Sequence, residues 1–214
     1  HTLNQFDIPE IDEVIVTSSA ADAKEIKALC APFGFKVVPG GKTRYLGVRS
    51  ALEKVTGDIV LIHDGARPFV TKKIITDCIK TVEVYGSGVC ATPLTDTMAT
   101  VYYGVITDVP KRETVYAVQT PQGFRADDIK KAYELAADDG IAYTDDSAVY
   151  ANYIGLPHIF EGDRHNTKLT YREDFLKDAP RFAHVEGCSA GIGADTHAFG
   201  AEGDFVTLAG VKIP

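Results

Sequence analysis

Short apolar runs bounded by polar residues recur along the first half of the chain. Glu13–Thr17 (EVIVT), Phe35–Val38, Asp58–His63 (DIVLIH) and Gly88–Pro93 (GVCATP) read as buried strands. Between them the spacing becomes helical. Ala23, Ile26 and Leu29 share one face of Ala20–Leu29, which Pro32 and Gly34 stop, and Val48–Val55 and Lys72–Val84 repeat the pattern. Strands that alternate with helices in this way, and are apolar throughout, predict an α/β fold. The expected form is Rossmann-like, with a mostly parallel sheet and helices on both faces. Thr100–Val118 breaks the rhythm. Its pieces VYYGVIT and TVYAVQT have no helix between them and predict a projecting β-hairpin arm. Helical spacing returns at Ala126–Ala137 and Asp145–Tyr153, and His158–Glu161 and Thr167–Thr170 read as short strands. From Asp178 to Ala190 the composition turns small and mixed, as in a linker.

Composition narrows the picture. A chain of 214 residues with 45% hydrophobic content can bury one full core, with little left for a second. Lys and Arg number 22 against 30 Asp and Glu, a formal charge of −8. Without a broad basic field, nucleic acid and anionic membranes are not expected partners, although a small anion needs only a few placed cations. The four cysteines are scattered with no C-x-x-C pair, and Cys78 and Cys90 sit in apolar surroundings, which fits a reduced, cytoplasmic setting. No apolar run approaches the roughly 20 residues of a membrane span, and no signal-peptide pattern is present. His1 and Pro214 both read as cut ends.

Ligands of open α/β sheets bind beyond the carboxyl ends of the strands, so the residues following each strand carry the candidate chemistry. Gly40-Gly41-Lys42-Thr43-Arg44 is a glycine turn leading two cations into a helix. Its backbone N–H groups can approach a phosphate or a base edge, and the plainer reading is a tight turn with solvated charges. Asp64-Gly65-Ala66-Arg67-Pro68 offers a carboxylate for a metal or a ribose hydroxyl and a guanidinium for an anion. The competing reading is a carboxylate that caps the turn and pairs with Arg67. Asp96-Thr97, Lys111-Arg112, Thr120-Pro121-Gln122 and Asn166-Thr167-Lys168 are each ordinary loop polarity taken singly. Their shared position at strand ends points to a phosphate-handling site.

Six segments in order, GGKTR (40–44), HDGARP (63–68), DTM (96–98), TPQGF (120–124), TDD (144–146) and EGDRHNTKLT (161–170), resemble the motifs of 2-C-methyl-D-erythritol 4-phosphate cytidylyltransferases. The resemblance runs from His1 to about Leu176. It implies a domain over 1–177, a linker over 178–190, and transfer of CMP from CTP to methylerythritol phosphate with release of pyrophosphate. Such chemistry rests on positioning and charge neutralisation, with Mg²⁺ as the implied ion. By the resemblance Arg112 and Lys168 hold the methylerythritol phosphate as catalytic residues, and Thr97, Thr120 and Thr144 contact the same substrate. Asp64 and Arg67 match positions at the substrate and ribose, and Gly40 and Gly41 match the turn against the cytosine. Arg112 and Thr97 belong to the arm region, which implies a homodimer with shared sites.

The sequence departs from the pattern twice. The family's glycine-rich nucleotide loop and first strand would precede His1, so weak CTP binding is expected of this sequence. Gly47 stands where the family usually has Ser at a cytosine contact. Residues 191–214, with GIGADTHAF and LAGVKIP, are similar to the opening of 2-C-methyl-D-erythritol 2,4-cyclodiphosphate synthases. There a D-x-H pair supplies two zinc ligands, which implies Asp195 and His197 as part of a Zn²⁺ site whose third ligand lies beyond Pro214. A cytidylyltransferase for another polyol phosphate, such as ribitol 5-phosphate, shares most of these motifs, and an inactive dimerising fragment is the non-enzymatic alternative.

Overall fold

The computed structural model describes residues 1–171, 173 and 174, and the strands at 206–208 and 211–213. The chain divides into two units, His1–Lys168 and Leu169–Pro214. The first begins with a short helix, Thr2–Phe6 (α1), that the apolar pattern does not signal. Ile15–Ser18 (β1) and Lys36–Pro39 (β2) pair in parallel, joined by Ala23–Cys30 (α2). Arg44–Leu52 (α3) follows; Thr43 caps it by accepting the Leu46 N–H, so the helix starts four residues before the expected Val48.

Ile59–Ile62 (β3), Ser87–Pro93 (β4), Tyr116–Arg125 (β7) and Ile159–Glu161 (β8) form a sheet in the order β3-β7-β4-β8. β4 and β8 are parallel, and β7 is antiparallel to both β3 and β4, so three strands run one way with β7 reversed between them. The sequence TVYAVQT, expected as half of the arm, is instead the front of this central strand. The arm is narrower. Thr100–Tyr102 (β5) and Val105–Asp108 (β6) pair across Tyr103-Gly104, whose φ of 48° and 78° match the two-residue turn that suits a twisted hairpin. Thr167–Thr170 is not a strand, because the Asn166 N–H bonds locally to Asp163 O and the chain turns there.

The core lies on both faces of the sheet, as strand alternation requires. Ile62, Val89 and Phe124 pack with Ile129, Ala132 and Tyr133 of Ala126–Leu135 (α5) and with Val149 and Tyr150 of Asp146–Tyr153 (α6). On the opposite face Leu61 and Cys90 meet Ile74 and Ile75 of Lys72–Tyr85 (α4). That helix sits so close that a Cβ at Gly123 would come within 2.7 Å of Cys78 Sγ and Val82 Cγ2. Burial pushes the Cys78 thiol well above its usual range and Cys90 to about 11, as suits inert packing residues. Among the described residues β1 pairs only with β2, and β3 only with β7. Their open edges bound a cavity of about 390 Å³ lined by Ile15, Val48, Leu52, Val60 and Ile79. In the second unit, Val206–Leu208 (β9) pairs antiparallel with Val211–Ile213 (β10).

Candidate active site

The turn after β3 carries Asp64, and three cations converge on it. Arg44 Nε lies 3.1 Å from Oδ1, while Lys168 Nζ lies 3.0 Å and Arg67 Nε 3.6 Å from Oδ2. Burial pushes the Asp64 carboxyl up, but Lys168 and Arg44 outweigh it and hold the group below the usual carboxylate range. Arg44 turns its other edge to Asp146, with Nη1 and Nη2 at 3.0 and 2.6 Å from the two oxygens. This is the bidentate geometry that gives Arg–carboxylate pairs their strength. Asp146 is fully buried and also accepts the Tyr133 hydroxyl at 2.6 Å. Burial, with the Asp146 charge beside it, pushes the Tyr133 phenol far up. Three cations thus face two carboxylates, leaving one positive charge over.

Local structure explains these positions. The β4–β7 register jumps from Val89↔Gln122 to Ala91↔Val118, so Gln119, Thr120 and Pro121 form a bulge opposite Cys90. Bulges re-aim side chains, and this one sets Thr120 Oγ1 3.0 Å from the Asp64 N–H and 3.0 Å from His63 Nδ1. The peptide bond Thr120–Pro121 is cis. Asn166, fully buried, donates from Nδ2 to Thr120 O at 2.8 Å, and its backbone carbonyl accepts from Arg67 Nη1 at 2.8 Å. Lys168 follows two residues later. Its side chain is 44% exposed, against 32% for Arg44 and 12% for Arg67, so it is the most exposed of the three cations.

Of the residues singled out from sequence, the structure brings Asp64, Arg67, Thr120 and Lys168 together. Thr120 is 3% exposed and its hydroxyl is taken up inside the cluster. Thr144 is exposed just ahead of Asp145, whose side chain caps α6 by accepting the Ser147 N–H. Arg112 and Thr97 are exposed near the arm, where Arg112 Nη1 donates to Thr95 O at 3.3 Å. Gly40 donates its N–H to Ser18 O at 2.7 Å, and a Cβ on Gly41 would sit 2.1 Å from Leu46 Cβ, so that turn requires glycine. Gly47 does not: a Cβ there meets Thr17 Oγ1 and Gly41 N at an ordinary 3.7 Å. Asp195 and His197 lie outside the described residues. His63 and Asp146 are not among the residues singled out from sequence, and Arg44 and Asn166 stand out there only as members of polar loops. Arg44 and Asp146 stood inside quoted motifs, but nothing in the sequence links two residues 102 positions apart.

The arrangement holds no activated nucleophile. His63 is neutral, pushed by burial to about 4 against the opposing pull of its bond to Arg67 O, and both its nitrogens have partners. What the cluster offers is fixed positive charge with one exposed ammonium, which suits a phosphate group.

A family model described as 2-C-methyl-D-erythritol 4-phosphate cytidylyltransferase matches residues 1–180. The chain belongs to this family. It is 43% identical over 190 residues, 85% of its length, to the bifunctional enzyme IspD/IspF of Nitrobacter hamburgensis, of which that match covers 47%. It is 40% identical over 213 residues, 96% of its length, to the bifunctional enzyme of the same description from Rhodopseudomonas palustris, covering 53% of it. The chain thus spans about half the length of the curated relatives it matches. Among solved structures, the 4-diphosphocytidyl-2C-methyl-D-erythritol synthase of Anaerococcus prevotii superposes with a TM-score of 0.79 at 27% identity, over 84% of this chain and 83% of that one. The bifunctional IspDF of Campylobacter jejuni gives 0.67 at 27% identity, over 82% and 44%. These likenesses bear out the α/β fold with its mostly parallel sheet.

Cytidylyltransferases of this family are metal-dependent in general. Among the described residues no group of three or more His, Cys, Asp or Glu could hold an ion. Both oxygens of Asp64 already face cations. The described part of the site therefore does not fit a resident metal. No helix among the described residues is long and apolar enough to cross a membrane.

Proposed function

We propose that this chain transfers CMP from CTP to 2-C-methyl-D-erythritol 4-phosphate. The observation that carries the reading is the cluster of Arg44, Arg67 and Lys168 on Asp64, with its surplus positive charge and its exposed ammonium, in a chain of this family. A phosphate oxygen of the polyol phosphate attacks the α-phosphorus of CTP, forming the new P–O bond. The bond to the β-phosphate breaks, and pyrophosphate carries away the electron pair. The attacking group is already anionic, so no enzyme nucleophile or general base is required. Lys168, with Arg112, holds and neutralises the substrate phosphate, and Asp64 and Arg67 lie at the substrate and ribose, where Asp64 accepts from a hydroxyl. Thr120 and Thr144 border the substrate, and Gly40 and Gly41 lie along the cytosine. Mg²⁺ arrives on the triphosphate, as is usual where a protein supplies few carboxylates.

Arg112 and Thr97 act across a homodimer, each arm completing the partner's site. The exposed apolar surface of the arm, with Tyr103 89% exposed, supports this. The buried thiols of Cys30, Cys78 and Cys90 suit a reducing cytoplasm. We assign residues 191–214 to the opening of a cyclodiphosphate synthase domain, with Asp195 and His197 as Zn²⁺ ligands. The Rhodopseudomonas match, which continues over nearly the whole chain, supports this assignment. The test, run on the full-length protein because weak CTP binding is expected of this sequence alone, is pyrophosphate release from CTP with methylerythritol phosphate and with ribitol 5-phosphate in parallel. Release with the first alone is expected. Equal release with both, or with ribitol 5-phosphate alone, would overturn the substrate assignment.

A further inference from the structure

His63 stands between β3 and the Asp64 turn, its ring against Phe6 at a centroid distance of 5.0 Å. Nε2 lies 3.1 Å from the carbonyl oxygen of Arg67. A carbonyl only accepts, so the ring proton is on Nε2. The ring is neutral, because burial holds its pKa at about 4, and Nδ1 is therefore bare. Thr120 Oγ1, 3.0 Å away, must donate to it, while the same oxygen accepts the Asp64 backbone N–H. A directed chain results. Asp64 N–H donates to Thr120, Thr120 O–H to His63 Nδ1, and His63 Nε2–H to Arg67 O. It starts at one end of the Asp64–Arg67 turn and finishes at the other, across a turn that Arg67 N–H also closes onto Asp64 O at 2.9 Å.

We propose that His63 is a positioning residue whose Nε2–H tautomer orients the Thr120 hydroxyl and clamps both ends of the Asp64–Arg67 turn. It thereby sets where the Asp64 carboxylate and the Arg67 guanidinium meet Lys168. The opposite tautomer would turn a bare Nε2 toward the Arg67 carbonyl, two lone pairs facing each other, so the Arg67 carbonyl selects the tautomer. The charged groups around the ring are Asp64 and Arg67 on its own turn. Thr120 from β7, whose backbone as well as its hydroxyl lies beside the ring, and Phe6 from α1 carry no charge. For catalysis the inference rests on the cytidylyl transfer proposed above, but its decisive readouts do not use turnover.

Three variants separate the bonds. His63→Asn keeps an amide near Nδ1 for Thr120, His63→Gln reaches instead toward Arg67 O, and His63→Phe keeps a ring against Phe6 and loses both bonds. In the full chain with ¹⁵N-labelled histidine at neutral pH, the His63 proton is expected on Nε2. Thr120→Val should shift the Nδ1 resonance and leave Nε2 in place. In His63→Phe the Asp64 amide should exchange with solvent about tenfold faster, the scale of one lost hydrogen bond. Ile75 and Val82 amides in α4 report global stability and serve as the reference. His63→Asn should restore part of the Asp64 protection, and His63→Gln less. A proton found on Nδ1 would overturn the proposal, as would an Asp64 amide that moves only in step with α4. A full-length protein that meets these expectations yet transfers no CMP would defeat the assigned activity and leave the tautomer clamp standing.

Discussion

Lys168 is the most exposed of the three cations on Asp64, while Arg44, half-buried, and Arg67, mostly buried, hold the same carboxylate. A phosphate can draw Lys168 away without leaving Asp64 uncompensated, so this ammonium is the group free to follow the substrate. Lys168→Ala should lower turnover about 10²–10³-fold, the usual loss for one such donor, with the melting temperature little changed. Steady-state pyrophosphate release checks this, and unaltered kinetics would remove Lys168 from the site. Asp146 is the opposite case, fully buried with a guanidinium fork and a phenol upon it. Asp146→Ala should cost about 3 kcal/mol, because it strands a buried partner. Urea denaturation reads this, and a loss under ~1 kcal/mol would show that Arg44 finds another partner. Asp64, Arg67 and Lys168 were legible in the sequence because each sits in a polar loop just past a strand or turn. The roles of Asp146 and Asn166 were not, although Asn166 stands in the same polar loop as Lys168. Their work is done by burial and by partners 102 and 46 residues away, and an Asp at a helix start looks like a cap wherever it occurs.

Most elements were legible from periodicity, since wholly apolar runs alternating with helical stripes admit few arrangements. Beside α1 and the Thr167–Thr170 stretch, the main exception is β7. Its front half alternates like an arm strand, and Pro121 argues against a central position, because proline lacks the N–H a ladder needs. The bulge resolves the conflict by taking Gln119–Pro121 out of register, and no local pattern announces it. The arm itself was legible from β-rich pieces with no helix between them, although its turn at Tyr103-Gly104 falls inside the first piece, and it bears directly on assembly. Val101, Tyr102, Tyr103, Val105 and Ile106 are all exposed on a two-stranded ribbon that adds no side chain to either core cluster. A lone ribbon of this kind is marginal in water. Tyr103→Asp with Ile106→Asp should therefore convert the proposed dimer to a monomer without loss of helical signal. Sedimentation velocity decides it, and an unchanged mass would place the dimer contact elsewhere or show that there is none.

For the molecule as a whole, His63 couples stability to pH. The folded protein keeps the ring neutral down to about 4, whereas the unfolded chain takes up its proton near 6.5. Between those values the unfolded state binds more protons, so stability rises with pH there. The contribution is complete above about 6.5 and is lost as pH falls toward 4. It amounts to about 3 kcal/mol in full. Urea midpoints measured across this window should slope for the parent chain and flatten for His63→Asn; parallel slopes would mean that another group titrates. The Arg44–Asp146 fork has a different reach. It ties the start of α3 to the start of α6 across 102 residues and leaves neither partner a neutral substitute. Those two positions form a single unit of inheritance. Among descendants of one ancestral gene, a change at either should be rare alone, and lineages that lost one should have altered the other.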